Sequence, residues 1–413
     1  MTKKKFTNTL YTHDNLFILT GMNSHSVDLI YLDPPFNSKR MYSAPTGSKA
    51  AGASFKDMWT WQDVNEAYLD TLTSKFPSLT KFIISIGGIH GKTMMAYLTY
   101  MAQRIIEMHR VLKDTGSLYL HCDPTASHYL KIVLDEIFGK NNFRNEIIWC
   151  YKRPSAPRQR QLPRLHDIIF WYSKGKTWTF HGELIRVPYA QSSIDRAGYA
   201  ANISKMTDGG VVELKEGGKL PEDWWDIPML KGNSKESTGY PTQKPLALLH
   251  RIVKASSNEG DIVLDPFCGC ATTCVAAQQL DRKWIGIDIE KQAVDILVER
   301  LSNDAGLFKD FVNTTIVPQR TDVKYEPKSP SVKERLYKAQ NGLCNGCGTA
   351  FEIRNFTIDH IIPEAKGGGN YYENYQLLCG HCNSVKGQRP MEYLRLKIKA
   401  REETMKNKII FGE

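Results

Sequence analysis

Short apolar runs recur along the chain, and their length and their content of β-branched and aromatic residues are typical of buried strands. The runs are SVDLIYLD, GSLYLHCD, NEIIWCY, HDIIFWYS, GDIVLDPF and RKWIGIDIE. Between several of them, apolar residues recur every three or four positions. The stretch AYLTYMAQRIIEMHRVLKDTG has this spacing and predicts an amphipathic helix that stops at the glycine. Strands and helices that alternate in this way predict an α/β domain with a mostly parallel sheet.

Two segments interrupt this alternation and indicate the domain boundaries. Residues 174–240 are rich in turn-forming residues and have no long period, which predicts an inserted, loop-rich region. Residues 311–331 are polar and contain prolines, which is typical of a linker. We therefore expect a first domain over residues 1–310 and a smaller second domain over residues 332–413.

The composition indicates the kind of partner and the compartment. Apolar residues make up 41% and charged residues 24% of the 413 positions, as is ordinary for a protein that buries a core. The formal net charge of +10 favours a polyanionic partner such as double-stranded DNA. No segment resembles a signal peptide, and no run of about 18 apolar residues occurs. We expect a soluble, cytoplasmic protein that binds no membrane.

The tetrapeptide Asp33-Pro34-Pro35-Phe36 follows an apolar run, at the position where parallel sheets place ligands. Proline lacks an N–H group, so the backbone carbonyls here and the Asp33 carboxylate are acceptors for an exocyclic amino group. Phe36 offers a surface on which a base can stack. Taken alone, the tetrapeptide also fits a strand that simply ends in a Pro-Pro turn.

The stretch GDIVLDPFCGCATT contains a second strand, which ends at Asp265 and leads into a loop of small residues. A helix is expected to begin near Thr272, and its free N–H groups can bind a polar ligand. A further strand ends at Asp288, where a carboxylate commonly binds ribose hydroxyls. These features predict a site for a cofactor that contains a nucleoside.

The order of these motifs resembles the circularly permuted β group of DNA amino-methyltransferases, over residues 8–303. Asp-Pro-Pro-Phe comes first, a variable insertion follows, and TQKP, DPFCGCATT and IGIDIE come last. The resemblance implies a Rossmann-like fold, S-adenosylmethionine as cofactor, and methylation of adenine N6 or cytosine N4 on a base flipped out of the duplex. Aspartate at the head of the motif favours adenine. The chain has no Pro-Cys dipeptide, which excludes the covalent route to C5-methylcytosine.

The resemblance also implies a role for each matched residue. The catalytic residues would be Asp33, Pro34, Pro35 and Phe36. The cofactor-binding residues would be Gln243, Lys244, Asp265, Pro266, Phe267, Gly269, Thr272 and Asp288. The family's usual Gly-Ser-Gly is Gly269-Cys270-Ala271 here, so the loop must bend without its second glycine.

A cluster of basic residues follows the NEIIWCY run, with no acidic residue among them. They are Lys152, Arg153, Arg158, Arg160 and Arg164. A solvated loop would explain them, but beside a base-flipping site we expect contacts with DNA phosphates. The insertion at 174–240 lies where the family keeps its target-recognition region. The stretch GGIHGKT is one residue short of a phosphate-binding loop, so ATP use is not expected.

The second domain carries two Cys-x-x-Cys pairs, formed by Cys344, Cys347, Cys379 and Cys382. Four thiolates in two such pairs predict a tetrahedral structural zinc site that stabilises a small domain. The remaining cysteines are expected to fill loops and core. They are Cys122, Cys150, Cys268, Cys270 and Cys274.

The residues between and beside these pairs resemble the HNH endonucleases of the ββα-metal fold, over residues 332–390. The resemblance implies that Asp359 and Asn383 bind Mg²⁺ or another divalent ion, that His360 is the general base, and that Asn374 orients it. Lys386 would contact DNA. The alternative is a zinc domain that only binds DNA.

We therefore predict a restriction-modification enzyme that combines DNA amino-methylation with a fused HNH nuclease. The resemblances imply that it is associated with DNA in a prokaryotic or viral context. A DNA-binding regulator with a relic cofactor site and an enzyme that acts on RNA are the rival interpretations. A homodimer and a monomer both remain open.

Overall fold

The computed structural model describes residues 8–37, 40–44, 48, 54–57, 59–60, 64, 72–73, 75–152, 160, 162–196, 214–289, 311–364, 368–389, 391, 393–395 and 397–398. The strands in this part of the chain are β1 (Asn8–Thr12), β2 (Val27–Leu32), β3 (Arg40–Ser43), β4 (Ser54–Asp57), β5 (Leu112–Cys122), β6 (Phe143–Cys150), β7 (His166–Ser173), β8 (Trp224–Asp226), β9 (Ile262–Asp265), β10 (Lys283–Asp288), β11 (Phe311–Thr314), β12 (Phe356–His360) and β13 (Tyr375–Cys379).

The helices in the same part of the chain are α1 (Asn15–Gly21), α2 (Pro77–His90), α3 (Lys92–Val111), α4 (Ser127–Phe138), α5 (Gln191–Arg196), α6 (Leu246–Ser256), α7 (Thr272–Gln279), α8 (Pro330–Ala339) and α9 (Gly380–Lys386). Short 3-10 turns lie at Lys140–Asn142, Gly182–Ile185, Ile353–Asn355 and Tyr372–Asn374. Among the described helices, none is both long enough and apolar enough to cross a membrane.

One large sheet organises the first domain. Its strand order is β11-β1-β10-β9-β2-β5-β7-β6-β8. All neighbours from β11 to β5 are parallel, whereas β7 is antiparallel to both β5 and β6. The six apolar runs form β2, β5, β6, β7, β9 and β10, which confirms the predicted α/β domain with a mostly parallel sheet.

Helices cover both faces of this sheet. The side chains of α1, α2, α3 and α4 pack on one face, and those of α6 and α7 pack on the other. Along β2, Ile30 and Leu32 face the first core, while Leu29 and Tyr31 face the second. Both faces are buried, so consecutive positions of β2 are apolar instead of alternating with polar residues.

The helix predicted to stop at Gly116 ends earlier than expected. Helix α3 ends at Val111, and Leu112 begins β5 by pairing with Val27 of β2. Lys113 Nζ also donates to Asp28 Oδ1 over 2.7 Å, which ties the start of β5 to β2. Pairing with a neighbouring strand therefore overrides the helical pattern in this stretch.

The glycine-rich stretch GGIHGKT joins two helices and does not follow a strand. Gly87 and Gly88 lie in the last turn of α2, and Lys92 begins α3. A phosphate-binding loop connects a strand to a helix. This stretch therefore does not form a phosphate-binding loop.

The segment predicted as a linker is in part a component of the first domain. Phe311–Thr314 forms β11, the edge strand that pairs in parallel with β1, so the prediction of a linker from residue 311 is wrong at its start. Beyond β11 the chain packs on α1, and Thr321 N donates to Asn23 Oδ1 over 2.7 Å. Sheet pairing and these polar contacts hold the segment against the first domain.

The insertion predicted at 174–240 also contributes to the sheet. Trp224–Asp226 forms β8, which pairs with β6 at the far edge. Trp149 of β6 donates through its indole Nε1 to Ile227 O over 2.8 Å. Residues 197–213 of the insertion lie outside the described part of the chain.

The second domain is built on an antiparallel hairpin of β12 and β13, with α8 and α9 packed against it. Its core contains Leu336, Phe356, Leu377 and Leu378, together with three of the four predicted zinc cysteines. This core is small, so a metal cross-link is expected to add a large part of its stability.

A glycine substitution tests how the segment after β11 packs on α1. A Cβ on Gly21 would lie 2.0 Å from the backbone oxygen of Pro318. We expect Gly21→Ala to lower the free energy of unfolding by about 1–3 kcal/mol, because backbone must move to make room. Urea denaturation of the full chain measures this change.

Gly88→Ala is the matched control. Gly88 lies in α2, and no atom lies within 4 Å of the position a Cβ would take. Alanine there should leave the stability unchanged or raise it by up to about 1 kcal/mol, since alanine favours a helix over glycine. Equal stabilities for the two variants would contradict the described packing of Pro318.

Candidate active sites

Two strands that are distant in sequence end side by side in the sheet. β2 pairs in parallel with β9, with Leu29 opposite Val263 and Ile30 opposite Leu264. Their carboxyl ends carry Asp33 and Asp265. β10 pairs with β9 on its other side and ends at Asp288. The sheet order therefore brings the three predicted carboxylates to one edge.

A cavity of about 510 Å³ opens at this edge. Its volume is in the range of sites that bind small molecules and cofactors. All the residues predicted for catalysis and cofactor binding in the first domain line it. They are Asp33, Pro34, Pro35, Phe36, Gln243, Lys244, Asp265, Pro266, Phe267, Gly269, Thr272 and Asp288.

The Asp33 carboxylate has one oxygen paired and one oxygen unpartnered. Lys244, itself buried, donates from Nζ to Oδ2 of Asp33. Oδ1 is buried and has no hydrogen-bond partner within the described part of the chain. A buried acceptor without a donor costs about 1–3 kcal/mol. Asp33 is therefore arranged to accept a hydrogen bond from a ligand.

Asp265 and Asp288 place two more carboxyl groups in the cavity. Burial raises the pKa of Asp265 to about 7, against the opposing effect of hydrogen bonds from Thr273 and from Phe267 N. Oδ2 of Asp288 accepts from Gly269 N over 2.8 Å. S-adenosylmethionine carries a sulfonium and an ammonium group, so acidic side chains and the Phe267 ring fit a cofactor of this kind.

The loop between β9 and α7 bends without the missing glycine, as the sequence required. Gly269 has a φ of 48° and Ala271 a φ of 53°, so both adopt the left-handed region. An alanine there costs about 1–2 kcal/mol relative to glycine. A Cβ on Gly269 would lie 3.1 Å from the Tyr240 ring, which covers this loop from above.

The segment around TQKP folds over the cavity as a braced loop. Gln243 accepts at Oε1 from Thr238 N over 2.9 Å and donates through Nε2 to Glu236 O over 2.9 Å. Oε1 of Glu236 accepts from Leu246 N at the start of α6 over 2.5 Å. The amide of Gln243 thus holds the loop closed, in addition to lining the cavity.

One wall of the cavity is formed by residues that no sequence motif indicated. Asp14 and Asn15 follow β1 and line the cavity beside His13. Arg104 of α3 is buried and donates to Asn15 Oδ1 over 2.6 Å and to Asp14 Oδ1 over 2.9 Å. Asn15 Nδ2 in turn donates to Pro266 O over 2.7 Å. The sequence signal that could have indicated this wall is a pair of polar residues, Asp14 and Asn15, directly after β1.

The basic residues predicted to bind DNA are only partly described. Lys152, Arg160 and Arg164 are exposed, whereas Arg153 and Arg158 lie outside the described part of the chain. The three described side chains are open to solvent, which a contact with phosphates requires.

The four predicted zinc ligands come together in the second domain. The sulfur atoms of Cys344, Cys347, Cys379 and Cys382 lie within 4.8 Å of one another. Cys379 ends β13 and Cys382 lies in the first turn of α9. Four thiolates at this spacing fit a tetrahedral zinc ion. Within the described part of the chain no other cluster of this kind is found, and the Cys268, Cys270 and Cys274 thiols are buried in loop and helix.

His360 ends β12 and is held by a residue that the sequence analysis did not select. His360 Nε2 lies 2.9 Å from Asn370 Oδ1. Asn370 donates through Nδ2 to the Glu364 carboxylate over 2.5 Å, which can only accept. Asn370 therefore presents its oxygen to His360, so Nε2 carries the hydrogen and Nδ1 has the lone pair. Within the described part of the chain Nδ1 has no hydrogen-bond partner, so it is available to act as a base.

The predicted role of Asn374 needs correction. Its side chain makes no hydrogen bond to the His360 ring. It accepts from Ile362 N over 2.9 Å and donates to Ile362 O and Gly369 O over 3.0 Å each. Asn374 closes the loop that follows His360, because its short amide reaches the backbone on both sides of that loop.

The prediction that Lys386 contacts DNA is wrong. Lys386 is fully buried and donates from Nζ to His360 O over 3.0 Å, and it also pairs with Asp359 Oδ2 over 2.9 Å. Gln376 Nε2 donates to the same oxygen over 2.8 Å. Packing of α9 against the hairpin directs Lys386 inward. Asn383, one turn earlier on α9, is half-buried.

Comparison with known proteins decides the family. The DNA methylase family matches residues 27–299, which is more than half of the chain. The chain belongs to the DNA methylase family. The HNH endonuclease family matches residues 344–389. These matches confirm the resemblances drawn from the motifs. The first domain has the fold of the N6 or N4 amino-methyltransferases, and it is followed by an HNH domain whose four cysteines fit zinc.

Individual relatives of this chain agree with the family assignment. Type II methyltransferase M.HpaI of Haemophilus parainfluenzae is 32% identical over 208 residues, which cover 50% of this chain and 60% of that protein. DNA adenine methyltransferase YhdJ of Escherichia coli (strain K12) is 28% identical over 296 residues, which cover 71% of this chain and 82% of that protein. The chain thus spans less than two thirds of M.HpaI.

The chain also matches solved structures. The cytosine-N4-specific PvuII DNA methyltransferase matches 71% of this chain and 86% of its own, with 15% sequence identity and a TM-score of 0.46.

Removal of one cysteine tests the zinc site. We expect Cys382→Ser to lose the bound zinc and to unfold the second domain, because the metal cross-link supports a small core. Elemental analysis of the purified chain measures the zinc. Cys150→Ser is the control, since Cys150 lies in β6 outside the cluster. Full zinc retention in Cys382→Ser would contradict the assignment.

Proposed function

We propose that this chain transfers a methyl group from S-adenosylmethionine to the exocyclic amino group of a flipped base in double-stranded DNA, with adenine N6 favoured over cytosine N4. The unpartnered Oδ1 of Asp33 supports the proposal most directly. It is a buried acceptor in the cavity that also holds the acidic, cofactor-binding half. The amino group of adenine or cytosine is the donor that this acceptor fits.

The residues of the cavity divide the work between the base and the cofactor. Asp33 Oδ1 and the Pro34 carbonyl accept hydrogen bonds from the amino group, which shifts its lone pair toward the methyl group. Phe36 stacks on the base. Lys244 keeps Asp33 oriented through Oδ2. S-adenosylmethionine supplies the methyl group on a sulfonium, and Asp265 and Asp288 would hold its methionine and ribose parts.

Aspartate at the start of the motif supports adenine as the base. The name of YhdJ describes an adenine methyltransferase, and the matched family covers methylation of N6 or N4 amino groups. Both bases present an amino group next to a ring nitrogen. The Asp33 carboxylate can accept a hydrogen bond from the amino group of either base.

The surroundings of the cavity support DNA as the substrate. Lys152, Arg160 and Arg164 are exposed and provide contacts for phosphates, and Arg153 and Arg158 of the same segment would add to them. Extraction of the base costs about a few kcal/mol, which phosphate contacts can offset. The region 174–240 would read the target sequence.

Asp33→Asn tests the methyl-transfer proposal. Asparagine keeps the shape but removes the negative charge, so we expect the rate of labelled methyl transfer to DNA to fall at least about a hundredfold. Asp114→Asn is the control, because Asp114 is exposed at the amino end of β5, on the opposite edge of the sheet. Equal transfer rates in wild type and Asp33→Asn would sink the assignment.

The second domain supports a further activity. We propose that the HNH domain cleaves DNA with a divalent metal ion such as Mg²⁺, as part of a restriction-modification system. The free Nδ1 of His360 supports this proposal, because a neutral imidazole with an unprotonated nitrogen can accept a proton from water. Asp359 and Asn383 would hold the metal, which would polarise the scissile phosphate.

The alternative of a domain that only binds DNA also has an observation in its favour. Lys386 and Gln376 both donate to Oδ2 of Asp359. A lysine so close to the carboxylate opposes the binding of a cation. The second oxygen of Asp359 makes no hydrogen bond within the described part of the chain, so one oxygen stays open to a metal.

Substitution at His360 distinguishes DNA cleavage by the second domain from DNA binding alone. We expect His360→Ala to abolish Mg²⁺-dependent cleavage while zinc is retained, and Asn370→Ala to slow cleavage about 10–100-fold because the ring loses its orientation. Gel assays on methylated and unmethylated DNA measure both effects. His250→Ala, in the first domain, is the control.

Wild type that cuts neither form of DNA with any divalent metal would overturn the nuclease proposal. The binding-only alternative would then stand if the domain still increased the affinity of the chain for DNA.

A further inference from the structure

Three polar side chains form a buried chain of hydrogen bonds beside the Asp-Pro-Pro-Phe motif. They are Tyr31, His121 and Asp167. They lie on β2, β5 and β7, three neighbouring strands of the sheet. None of them belongs to a motif used above. Tyr31 lines the cavity, two residues before Asp33.

The contacts are short and direct. The Tyr31 hydroxyl lies 2.8 Å from His121 Nδ1, and His121 Nε2 lies 3.1 Å from Asp167 Oδ2. The other oxygen of Asp167 accepts from the Tyr151 hydroxyl over 3.2 Å. His121 is 0% exposed, and among the described residues its two ring nitrogens have these two partners in place of water.

The charge of Asp167 fixes the direction of the hydrogen bonds. Burial alone would raise the pKa of Asp167, but the hydrogen bonds from His121 and Tyr151 and the Lys244 charge together hold it below its ordinary value. An ionised Asp167 only accepts, so His121 Nε2 donates to it. In the tautomer with its hydrogen on Nε2, His121 accepts at Nδ1 from the Tyr31 hydroxyl, which leaves the lone pairs of Tyr31 available to the cavity.

The His121 ring is also packed by the catalytic motif. The Phe36 ring lies nearly parallel to it, with centroids 6.0 Å apart and planes at 22°. Trp149 contacts His121 edge-on from β6, at 5.5 Å and 86°. His121 thus contacts two groups of the base-binding half at once, the Phe36 ring and the Tyr31 hydroxyl.

We propose that His121, held by Asp167, is a positioning residue for methyl transfer, because it sets the Tyr31 hydroxyl and the Phe36 ring against the flipped base. The inference rests on the proposed methyl-transfer function and deepens it. Tyr31 would then be a further acceptor for the amino group, beside Asp33. Phe36 would keep the base plane aligned with the methyl group.

A purely structural role is the competing explanation. A buried histidine paired with a carboxylate seldom stabilises a fold more than two apolar residues of similar volume would, because both polar groups lose hydration. An apolar pair of similar volume would pack at least as well. The placement of the pair at the cavity, with the Tyr31 hydroxyl as its end, favours a role in the reaction.

A double-mutant cycle tests the proposal. Tyr31→Phe removes the hydroxyl, and His121→Phe keeps a stacked ring but removes both hydrogen bonds. We expect kcat for methyl transfer to fall about 5–10-fold in Tyr31→Phe and about 10–100-fold in His121→Phe, with KM for S-adenosylmethionine changed less than about threefold. The double variant should lose no more than His121→Phe alone, because both substitutions break the same contact.

Tyr119→Phe is the matched control. Tyr119 pairs with Tyr31 across β2 and β5, is equally buried, and its hydroxyl contacts Ser256 Oγ over 2.7 Å. Its loss should reduce thermal stability about as much as Tyr31→Phe but leave kcat unchanged. Fluorescence of 2-aminopurine at the target position reports whether the base still leaves the duplex in each variant.

Three outcomes would overturn the inference while methyl transfer by wild type is intact. They are wild-type kcat in His121→Phe, additive losses in the double variant, and an equal loss of kcat in Tyr119→Phe. Absence of methyl transfer by wild type, with S-adenosylmethionine and DNA both bound, would instead refute the proposed function. If His121→Phe does not fold, Tyr31→Phe against Tyr119→Phe still decides the question.

Discussion

The parallel pairing of β9 with β2 and of β2 with β5 is the constraint on which the first site depends. It places Asp265 and Asp33, which are far apart in sequence, at the same edge of the sheet. Both strands are buried on both faces, so their register is fixed by two cores at once. A slip of one residue would turn Tyr31 out of its core and would move Asp33 away from Lys244.

Carboxyl groups and a lysine lie together at this edge of the sheet. Lys244 satisfies one oxygen of Asp33 and leaves the other without a donor. Asp265 and Asp288 place two more carboxyl groups in the cavity, and burial raises the pKa of Asp265 to about 7. A cationic cofactor and a neutral amino group therefore fit different halves of one cavity. The second domain adds a histidine whose free nitrogen is determined by Asn370 and Glu364.

Local motifs were sufficient to predict the fold class and the residues proposed for catalysis and cofactor binding, because most of these motifs lie at the end of a strand that its own apolar run predicts. Contacts between strands were not predictable in this way. Tyr31, His121 and Asp167 meet only because β7 inserts antiparallel beside β5, which no local pattern encodes. Lys386 is basic and near the HNH motif, but the orientation of α9 turns it inward. Asn370 holds His360 where Asn374 was expected, because the loop after His360 folds back through Gly369.

The central claim is that the unpartnered oxygen of Asp33 receives the amino group of a DNA base. Nucleoside analysis by mass spectrometry tests it most directly, on DNA incubated with the purified chain and isotopically labelled S-adenosylmethionine. The account predicts labelled N6-methyladenine, and labelled N4-methylcytosine would keep the site but change the base. Label in 5-methylcytosine, or label in no nucleoside while the cofactor is bound, would contradict it.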